Sequence, residues 1–469
     1  MVSENVRLPG RGKSTIRPLA WWRMGWADLY GSLAILSVVA VVCLWIMNQG
    51  LVSVISGRDR SIGSWGLLTG LVSADLMLVQ VVLLARIPHV ERAWGHDLLA
   101  RRHRWVGFWS FWLMIAHVAA FAFQRVARDP AAAWSQLYAV FVTDGWMLWA
   151  TAGTVMVIGV TVTSIRLARR RLRYESWHLL HLYAYLGILL VWPHMLADGS
   201  DFHQTYARVY WWTIYLISVA TILIWRVALP IGRSLYHRMR VTAVLTETPG
   251  VYSVHVRGHR LDKLRTRSGQ FFIWRFMAGP GWTRGNPYTI SAAPAHDSMR
   301  VTIRAAGDGS ARVARLKPGT RVLIEGPYGT MTAERRTGPR MLLFAAGIGV
   351  TPMRAILEDA AYAPGEATLI YRYTAEEHAI FRAELERIAR TRGLELILLP
   401  GRRRADDSWL PAGNDEPGDD VAQLTRLVPD IAGRDIFICG PGRWIASVRR
   451  ACRAAGANRR QIHTEDYSW

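Results

Sequence analysis

Four histidines fall within or beside long apolar runs: His103, His117, His181 and His194. An ionisable side chain in a segment able to cross a bilayer is costly, and marks function by default. His103 and His117 are fourteen residues apart. At 100° per residue that is four turns less about 40°, so both leave nearly the same helix face, about 21 Å apart along it. His181 and His194 are thirteen apart, which puts them about 140° out of phase on a straight helix. Pro193, immediately before His194, is expected to kink that helix and change the phase. Neutral imidazole is a normal axial ligand of haem iron. Matching depth pairs His103 with His181 at an inner level and His117 with His194 at an outer one. His178 competes with His181, since a three-residue shift barely changes depth. His89, His96 and His203 flank the runs and read as interfacial. Polar packing between helices is the competing role for any one such histidine. Two depth-matched pairs favour iron ligation.

Further along, glycine-rich turns offer phosphate sites. Gly347-Ile348-Gly349-Val350-Thr351-Pro352 follows an apolar strand and precedes a helix. Glycines let backbone approach a pyrophosphate, and a helix start attracts its charge. Gly307-Asp308-Gly309-Ser310 opens a second predicted helix, Ser310–Leu316, where the Ser310 hydroxyl and the Arg304 charge can assist. In Asn286-Pro287-Tyr288-Thr289-Ile290-Ser291, the Tyr288 ring can cover a flavin, while Thr289 and Ser291 offer hydroxyls to its polar atoms. Tyr371-Arg372-Tyr373 ends the strand where a dinucleotide fold reads the adenosine ribose. An acid there favours NADH and a base a 2′-phosphate, so Arg372, helped by Arg402–Arg404, favours NADPH with NADH as the alternative.

The histidine spacing and the order of these segments resemble the ferric reductase and NADPH oxidase superfamily. The resemblance covers nearly the whole chain beyond its first 20 residues. It implies two bis-histidine haems b between the third and fifth membrane helices, an FAD on a barrel of the ferredoxin–NADP reductase type, and NADPH on a nucleotide-binding domain. Asn286 departs from the arginine usual in the flavin motif, which removes direct charge pairing to the pyrophosphate there. Glu325-Gly326-Pro327-Tyr328-Gly329 resembles the family's barrel-closing turn. Cys439-Gly440-Pro441 resembles its turn beside the nicotinamide, which implies that Cys439 and Gly440 line the hydride-transfer site. Glu465-Asp466-Tyr467 resembles its acidic–x–aromatic end, with Tyr467 covering the flavin face; Trp469, two residues on, competes for that role. Electrons would pass from cytoplasmic NADPH through FAD and both haems to an acceptor on the far side. That acceptor is oxygen, giving superoxide, a ferric chelate, or an extracytoplasmic redox protein. Phe121 lies one turn after His117, where animal oxidases carry a histidine, which counts against a dedicated oxidase.

These residues need particular elements to position them. Apolar runs of about 20 residues, the length that spans a hydrocarbon core, predict helices at 26–47, 64–85, 105–124, 145–165, 177–197 and 208–229. The first is long enough to be a retained span rather than a signal peptide. Met1–Arg23, Arg86–Arg104 and Arg166–Trp177 carry five Lys/Arg each, and the opposite loops carry two, two and one. That bias puts both termini in the cytoplasm, in a plasma membrane protein in contact with lipid. After residue 235 the texture changes. Arg240–Val256 alternates as one half-buried strand, followed by strands near Gln270–Arg275, Tyr288–Ser291, Arg300–Ala305 and Arg321–Glu325, which predict a small antiparallel barrel. From Arg340, strands at Met341–Ala346, Ala367–Tyr373, Glu395–Leu399 and Asp435–Ile438 alternate with helices at Ile348–Ala361 and Phe381–Thr391, the pattern of a doubly wound parallel sheet. Arg402–Asp420 is polar and Gly/Pro-rich and reads as an exposed loop. The predicted fold is therefore multidomain: a cytoplasmic tail (1–20), a six-helix transmembrane haem domain (21–235), an antiparallel β-barrel FAD domain (236–335) and an α/β doubly wound NAD(P)-binding domain (336–469).

Composition agrees with that division. Of 469 residues, 51% are hydrophobic and 22 are Trp, which fits a partly membrane-embedded chain. The net charge of +22 raises nucleic-acid binding. The arginines instead flank apolar runs, where they orient a membrane protein, so no nucleic-acid partner is expected. Cys43, Cys439 and Cys452 form no CxxC pair, which argues against a zinc or iron–sulfur site of the chain's own. The reading from another class is a transporter with a regulatory nucleotide module, in which Asp75 and the histidines form a proton path.

Overall fold

The computed structural model describes residues 20–165, 174–199, 202, 204–412 and 419–466. The chain forms two compact units, one spanning Arg23–Ala228 and the other holding the chain from Leu229 onward.

Six helices in the first unit are long and apolar enough to cross a membrane. They are α1 (Ala20–Met47), α2 (Arg58–Leu83), α3 (His96–Arg128), α4 (Gly145–Ser164), α5 (Tyr174–Asp198) and α6 (Thr205–Thr221), the last continuing as a π-helical stretch, Ile222–Ala228. Helix α2 is the hub: 44% of its apolar window is buried, against 11–22% for the others. One face of α2 carries a stripe of small residues, which lets backbones approach closely. A Cβ on Gly66 would lie 3.0 Å from the Ala120 Cβ of α3, and Ser73 Oγ donates to the Ser110 carbonyl at 2.7 Å. The opposite face holds Asp75, buried between α1 and α6, where Ser37 Oγ and Tyr210 OH both donate to its Oδ1. Asp75 is thus a cap for a polar helix contact. Helices α4 and α5 meet just as closely, since a Cβ on Gly153 would stand 2.6 Å from the Gly187 carbonyl oxygen.

The second unit begins with α7 (Leu229–His237), which packs on the strand Val322–Tyr328. Two antiparallel sheets follow. One is β1 (Arg240–Thr248), β2 (Val251–Arg257) and β5 (Ser298–Arg304); the other is β4 (Asn286–Thr289), β3 (Phe271–Phe276) and β6 (Val322–Tyr328). Bridges Arg240–Arg321 and Ile290–Val301 join them into a barrel. Val254, Phe272, Trp274, Ile290 and Val301 fill its centre. The single strand expected over Arg240–Val256 is a hairpin, because Pro249-Gly250 turns the chain with Gly250 at φ 75°. The expected helix Ser310–Leu316 is one α-turn, Asp308–Ala311, followed by a 3₁₀ turn, Arg312–Arg315.

A five-stranded parallel sheet completes the unit, ordered β11 (Ile462–Asp466), β10 (Asp435–Gly440), β7 (Met341–Ala346), β8 (Ala367–Tyr373) and β9 (Glu395–Pro400). Alternation along β7 buries both of its faces. Met341, Leu343 and Ala345 meet α8 (Val350–Asp359) and α9 (Arg382–Arg392). Leu342, Phe344 and Ala346 meet α10 (Asp420–Leu427) and α11 (Gly442–Ala454). The exposed loop expected over Arg402–Asp420 is corrected for its described part. Trp409 and Leu410 are fully buried; Trp409 packs on Phe344 and donates its indole N–H to the Asp420 carbonyl at 3.0 Å. Two large apolar side chains there outweigh their charged neighbours. The strand order reverses between β7 and β10, and ligands of open α/β sheets bind at such switch points.

Candidate functional site

The membrane unit brings the predicted His103 and His181 together as a pair. His103 and His117 lie on α3, and His181 and His194 on α5, which runs helically through Pro193. The His103 and His181 rings have centroids 5.9 Å apart with planes at 65°. His194 lies within electrostatic range of His117. His181 thus meets its expected partner across α3 and α5. His178 stands beside Trp177.

The outer nitrogens of the rings have fixed partners. His117 Nδ1 is 2.8 Å from the Gly66 carbonyl, and His103 Nδ1 is 3.2 Å from the Gln80 carbonyl. A carbonyl only accepts, so these Nδ1 atoms carry the proton and the neutral rings keep a lone pair at Nε2. His181 Nδ1 is 3.2 Å from Ser164 Oγ, to which the Trp177 indole also donates. A metal-ligating histidine uses its other nitrogen in this way. Imidazole–metal bonds are about 2 Å; adding the ring half-widths, two imidazoles across one metal stand about 6 Å apart. The His103–His181 spacing fits that arrangement. Gly70 supplies room, since a Cβ there would come within 2.4 Å of His117 Nδ1. Gly66, Gly70, Gln80 and Ser164 were not singled out from sequence. The small-residue spacing Gly63, Gly66, Gly70, Ser73 on α2 is a signal that points to the two glycines.

In the barrel, Tyr288 lies on β4, partly buried, and burial pushes its hydroxyl up to about 12. Trp274 fixes the segment by donating to the Tyr288 carbonyl at 2.9 Å. Thr289 beside it is buried. Ser291 differs from its expected role. Its hydroxyl is fully buried and accepts from Thr302 Oγ1, itself bonded to Ser253, on the sheet face opposite the barrel centre. Its carbonyl accepts from Arg300 and Arg354. Arg304 is exposed at the end of β5. Ser310 Oγ accepts from the Ala306 and Gly307 amides and so closes its own turn.

The two turns at the switch point interlock. Gly347 sits at φ 55°, a conformation that favours glycine. A Cβ on Gly349 would stand 2.3 Å from the Cys439 carbonyl oxygen, and one on Gly440 2.9 Å from the Trp444 ring. The turn after β7 thus lies directly on the turn after β10. Pro352 is buried in the first turn of α8, where its missing N–H costs nothing. Cys439 is buried and pairs in register with Glu465 on β11. Glu465 Oε1 lies 3.6 Å from where a Cβ on Gly329 would be, so β11 reaches the barrel-closing turn. Tyr467 and Trp469 lie outside the described residues. Arg372 ends β8 with its Nε buried and without an acceptor. Burial, and then the charge of neighbouring Arg403, holds its pKa below the ordinary arginine value. A charged donor so placed suits an anion.

Four charged residues that sequence reasoning missed form a buried network beside Ser291: Arg300, Arg354, Glu358 and Glu384. Their separations, 4 to 84 residues, leave no local pattern except the Arg354–Glu358 pair on α8.

Residues 69–192 match the family described as ferric reductase like transmembrane component, and residues 343–450 match the oxidoreductase NAD-binding domain. Over 203 residues the chain is 32% identical to ferredoxin–NADP reductase B of Sorangium cellulosum (strain So ce56), covering 40% of this chain and 80% of that one. The chain joins a ferric reductase-like transmembrane component to a module that belongs to the ferredoxin–NADP reductase family. It is also 32% identical over 209 residues to the ferredoxin reductase component of 3-ketosteroid-9-alpha-monooxygenase from Mycolicibacterium smegmatis (strain ATCC 700084 / mc(2)155). That match covers 44% of this chain and spans only 56% of the relative's length. The flavohem-like FAD/NAD binding domain of nitric oxide dioxygenase from Vibrio cholerae O1 biovar El Tor aligns with 49% of this chain and 98% of its own, at 21% identity and a TM-score of 0.41. This ferric reductase-like chain is an integral membrane oxidoreductase whose second half is of the FAD- and NAD(P)-binding type.

Proposed function

We propose that this ferric reductase-like protein carries electrons from cytoplasmic NADPH through FAD and two b-type haems across the plasma membrane to an acceptor on the far side. The acceptor is a ferric chelate, oxygen yielding superoxide, or an extracytoplasmic redox protein. The observation that carries this reading is the His103–His181 pair, 5.9 Å apart, with the Nδ1 of His103 on a backbone carbonyl and that of His181 beside Ser164 Oγ. When bound, FAD takes hydride as an electron pair and gives electrons up singly to haem iron. The chain's own residues orient the groups. His103 and His117 present Nε2, and Gly66, Gly70 and Gln80 hold their rings in place. The Gly347–Gly349 turn and the start of α8 attract the nucleotide pyrophosphate. Arg372 supplies the buried donor that favours a 2′-phosphate, which supports NADPH over NADH. The excess of Lys/Arg on alternate loops supports cytoplasmic termini.

The test is anaerobic reduction of the purified protein by NADPH, followed by reoxidation. The expected result is a low-spin b-type spectrum that reduces with NADPH and reoxidises with ferric chelate or oxygen. A purified protein with no haem, or with haem that NADPH never reduces, refutes the proposal. Absence of haem supports instead a transporter with a nucleotide-binding module.

A further inference from the structure

The buried charge network of the reductase half joins three elements that a hydride transfer must keep in register. Arg354 lies on α8, two residues after the Pro352 that ends the nucleotide turn, and is 2% exposed. Its Nε donates to Glu384 Oε2 at 2.7 Å. One terminal nitrogen reaches the Ser291 carbonyl at 3.2 Å and Glu358 Oε2. The other reaches Glu358 Oε1 at 3.2 Å and Glu384 Oε2 at 2.6 Å. An arginine has five N–H donors in a rigid fork; four donate to acceptors here, and the contact to Glu384 Oε2 from the second terminal nitrogen is an ion pair. Arg300 on β5 adds a second fork, to Glu384 Oε1 at 2.8 Å, Glu384 Oε2 at 3.0 Å and the same Ser291 carbonyl at 3.0 Å. Glu358 in turn accepts from the Ala293 amide at 2.6 Å. Two arginines and two glutamates balance to zero net charge.

A scaffold alone needs no such arrangement, because buried ion pairs bring little stability compared with apolar packing. They do fix geometry. Ser291 and Ala293 directly follow Tyr288 and Thr289 on the barrel, Arg354 and Glu358 ride the helix that starts at the nucleotide turn, and Glu384 rides α9. Both lone pairs of the Ser291 carbonyl are held by guanidinium groups from β5 and α8. That lets the strand of the predicted flavin segment move only together with the nucleotide helix.

We infer that Arg354, with Arg300, Glu358 and Glu384, is a positioning clamp for hydride transfer that sets the distance between nicotinamide and flavin ring. The inference rests on the reading that this half binds FAD and NADPH. In that reaction hydride leaves the dihydronicotinamide with its electron pair and passes to the flavin, leaving the oxidised nucleotide. Reacting atoms must come to about 3–3.5 Å, and a misplacement of about 1 Å costs about a hundredfold in rate. None of the four residues need touch either cofactor for that effect.

The experiment uses the full-length, FAD-loaded protein and the variants Glu384→Gln, Arg354→Lys and Glu358→Gln. Glu358→Gln is the mildest, since Arg354 keeps Glu384. Four quantities are read: FAD per chain, the affinity for NADP⁺, amide hydrogen exchange over 286–293, and the single-turnover rate of flavin reduction by NADPH per bound FAD. The clamp predicts about a hundredfold slower reduction in Glu384→Gln and Arg354→Lys and about tenfold slower in Glu358→Gln. FAD content and NADP⁺ affinity stay within about twofold, the deuterium isotope effect on reduction rises or persists, and exchange over 286–293 quickens. Lysine keeps the charge of residue 354 but not the fork, so Arg354→Lys does not rescue the rate. Reduction per bound FAD at the wild-type rate in Glu384→Gln or, should that variant not fold, in Glu358→Gln overturns the inference, whatever the loss of FAD or stability. Wild-type protein that NADPH does not reduce sinks the underlying reading instead, and the two failures are distinct.

Discussion

Replacing Gly70 by Ala tests the histidine site without touching a histidine. The new Cβ would lie 2.4 Å from His117 Nδ1, 2.8 Å from Cε1 and 2.9 Å from Cγ. Ordinary contact begins near 3.4 Å, so the ring must retreat by about 1 Å. That retreat stretches the 2.8 Å contact from Nδ1 to the Gly66 carbonyl beyond hydrogen-bond reach. It also moves Nε2 by half the length of a metal–imidazole bond of about 2 Å. Loss of an outer-shell partner costs about 10–100-fold in metal affinity, or about 1.4–2.7 kcal/mol, and overpacking adds about 1–3 kcal/mol. Helix propensity runs the other way, since alanine favours a helix over glycine by about 1 kcal/mol, so α2 itself keeps its helicity. The assay is haem per chain by pyridine haemochrome, with electron paramagnetic resonance for spin state. The expected outcome is loss or high-spin conversion of one haem of the two, with the other unchanged. Gly159→Ala on α4, whose Cβ meets nothing within 4 Å, is the control and keeps both. A folded Gly70→Ala protein with two low-spin haems at wild-type potentials would refute the reasoning.

Three further outcomes follow from the reductase half. Arg372→Ala removes the buried donor at the end of β8, and is expected to raise KM for NADPH about tenfold or more while leaving that for NADH nearly unchanged; steady-state kinetics with both coenzymes check it. Gly349→Ala drives a Cβ to 2.3 Å from the Cys439 carbonyl oxygen, and is expected to abolish reduction by NADPH, while chemically reduced protein still passes electrons to the acceptor. Burial by itself would raise Glu384, but hydrogen bonds from Arg300 and the charge of Arg354 outweigh it and hold the carboxyl at about 2 against 4.5 in an open chain. A depressed carboxyl stabilises the fold fully above pH about 4.5 and loses that contribution as pH falls toward about 2, by up to about 3 kcal/mol. Urea unfolding followed by flavin fluorescence should show that slope in wild type and lack it in Glu384→Gln.

Much of the framework is legible in the chain itself, because hydrophobic length and strand period are local properties. The six spans agree with the expected ones to within a few residues, apart from the earlier starts of α1, α2 and α3 and the end of α6. Helix α3 begins at His96, not near residue 105, because Arg101, Arg102 and Arg104 continue the helix beyond its apolar part. Strands β7, β8, β9 and β10 of the parallel sheet follow from their apolar runs, whereas the polar edge strand β11 (Ile462–Asp466) does not. What failed were questions of facing. Ser291 has the right type for a flavin contact, yet its buried hydroxyl is taken up by Thr302. Residue counting left His181 and His194 on diverging faces, yet His181 lies by its α3 partner His103. The Ser291–Arg354 and Arg300–Glu384 contacts join residues 63 and 84 apart, which no periodicity encodes. Trp409 was hidden by the charges around it, and its burial depends on a partner, Trp444, 35 residues on.

The account turns on imidazoles of α3 and α5 holding two irons. Haem content and low-spin ligation should therefore be measured in the purified wild type and in His103→Ala and His117→Ala. Two low-spin b haems per chain are expected in the wild type, and in each variant the loss or altered ligation of one while the other survives. Both variants retaining two haems with unchanged ligation would contradict it.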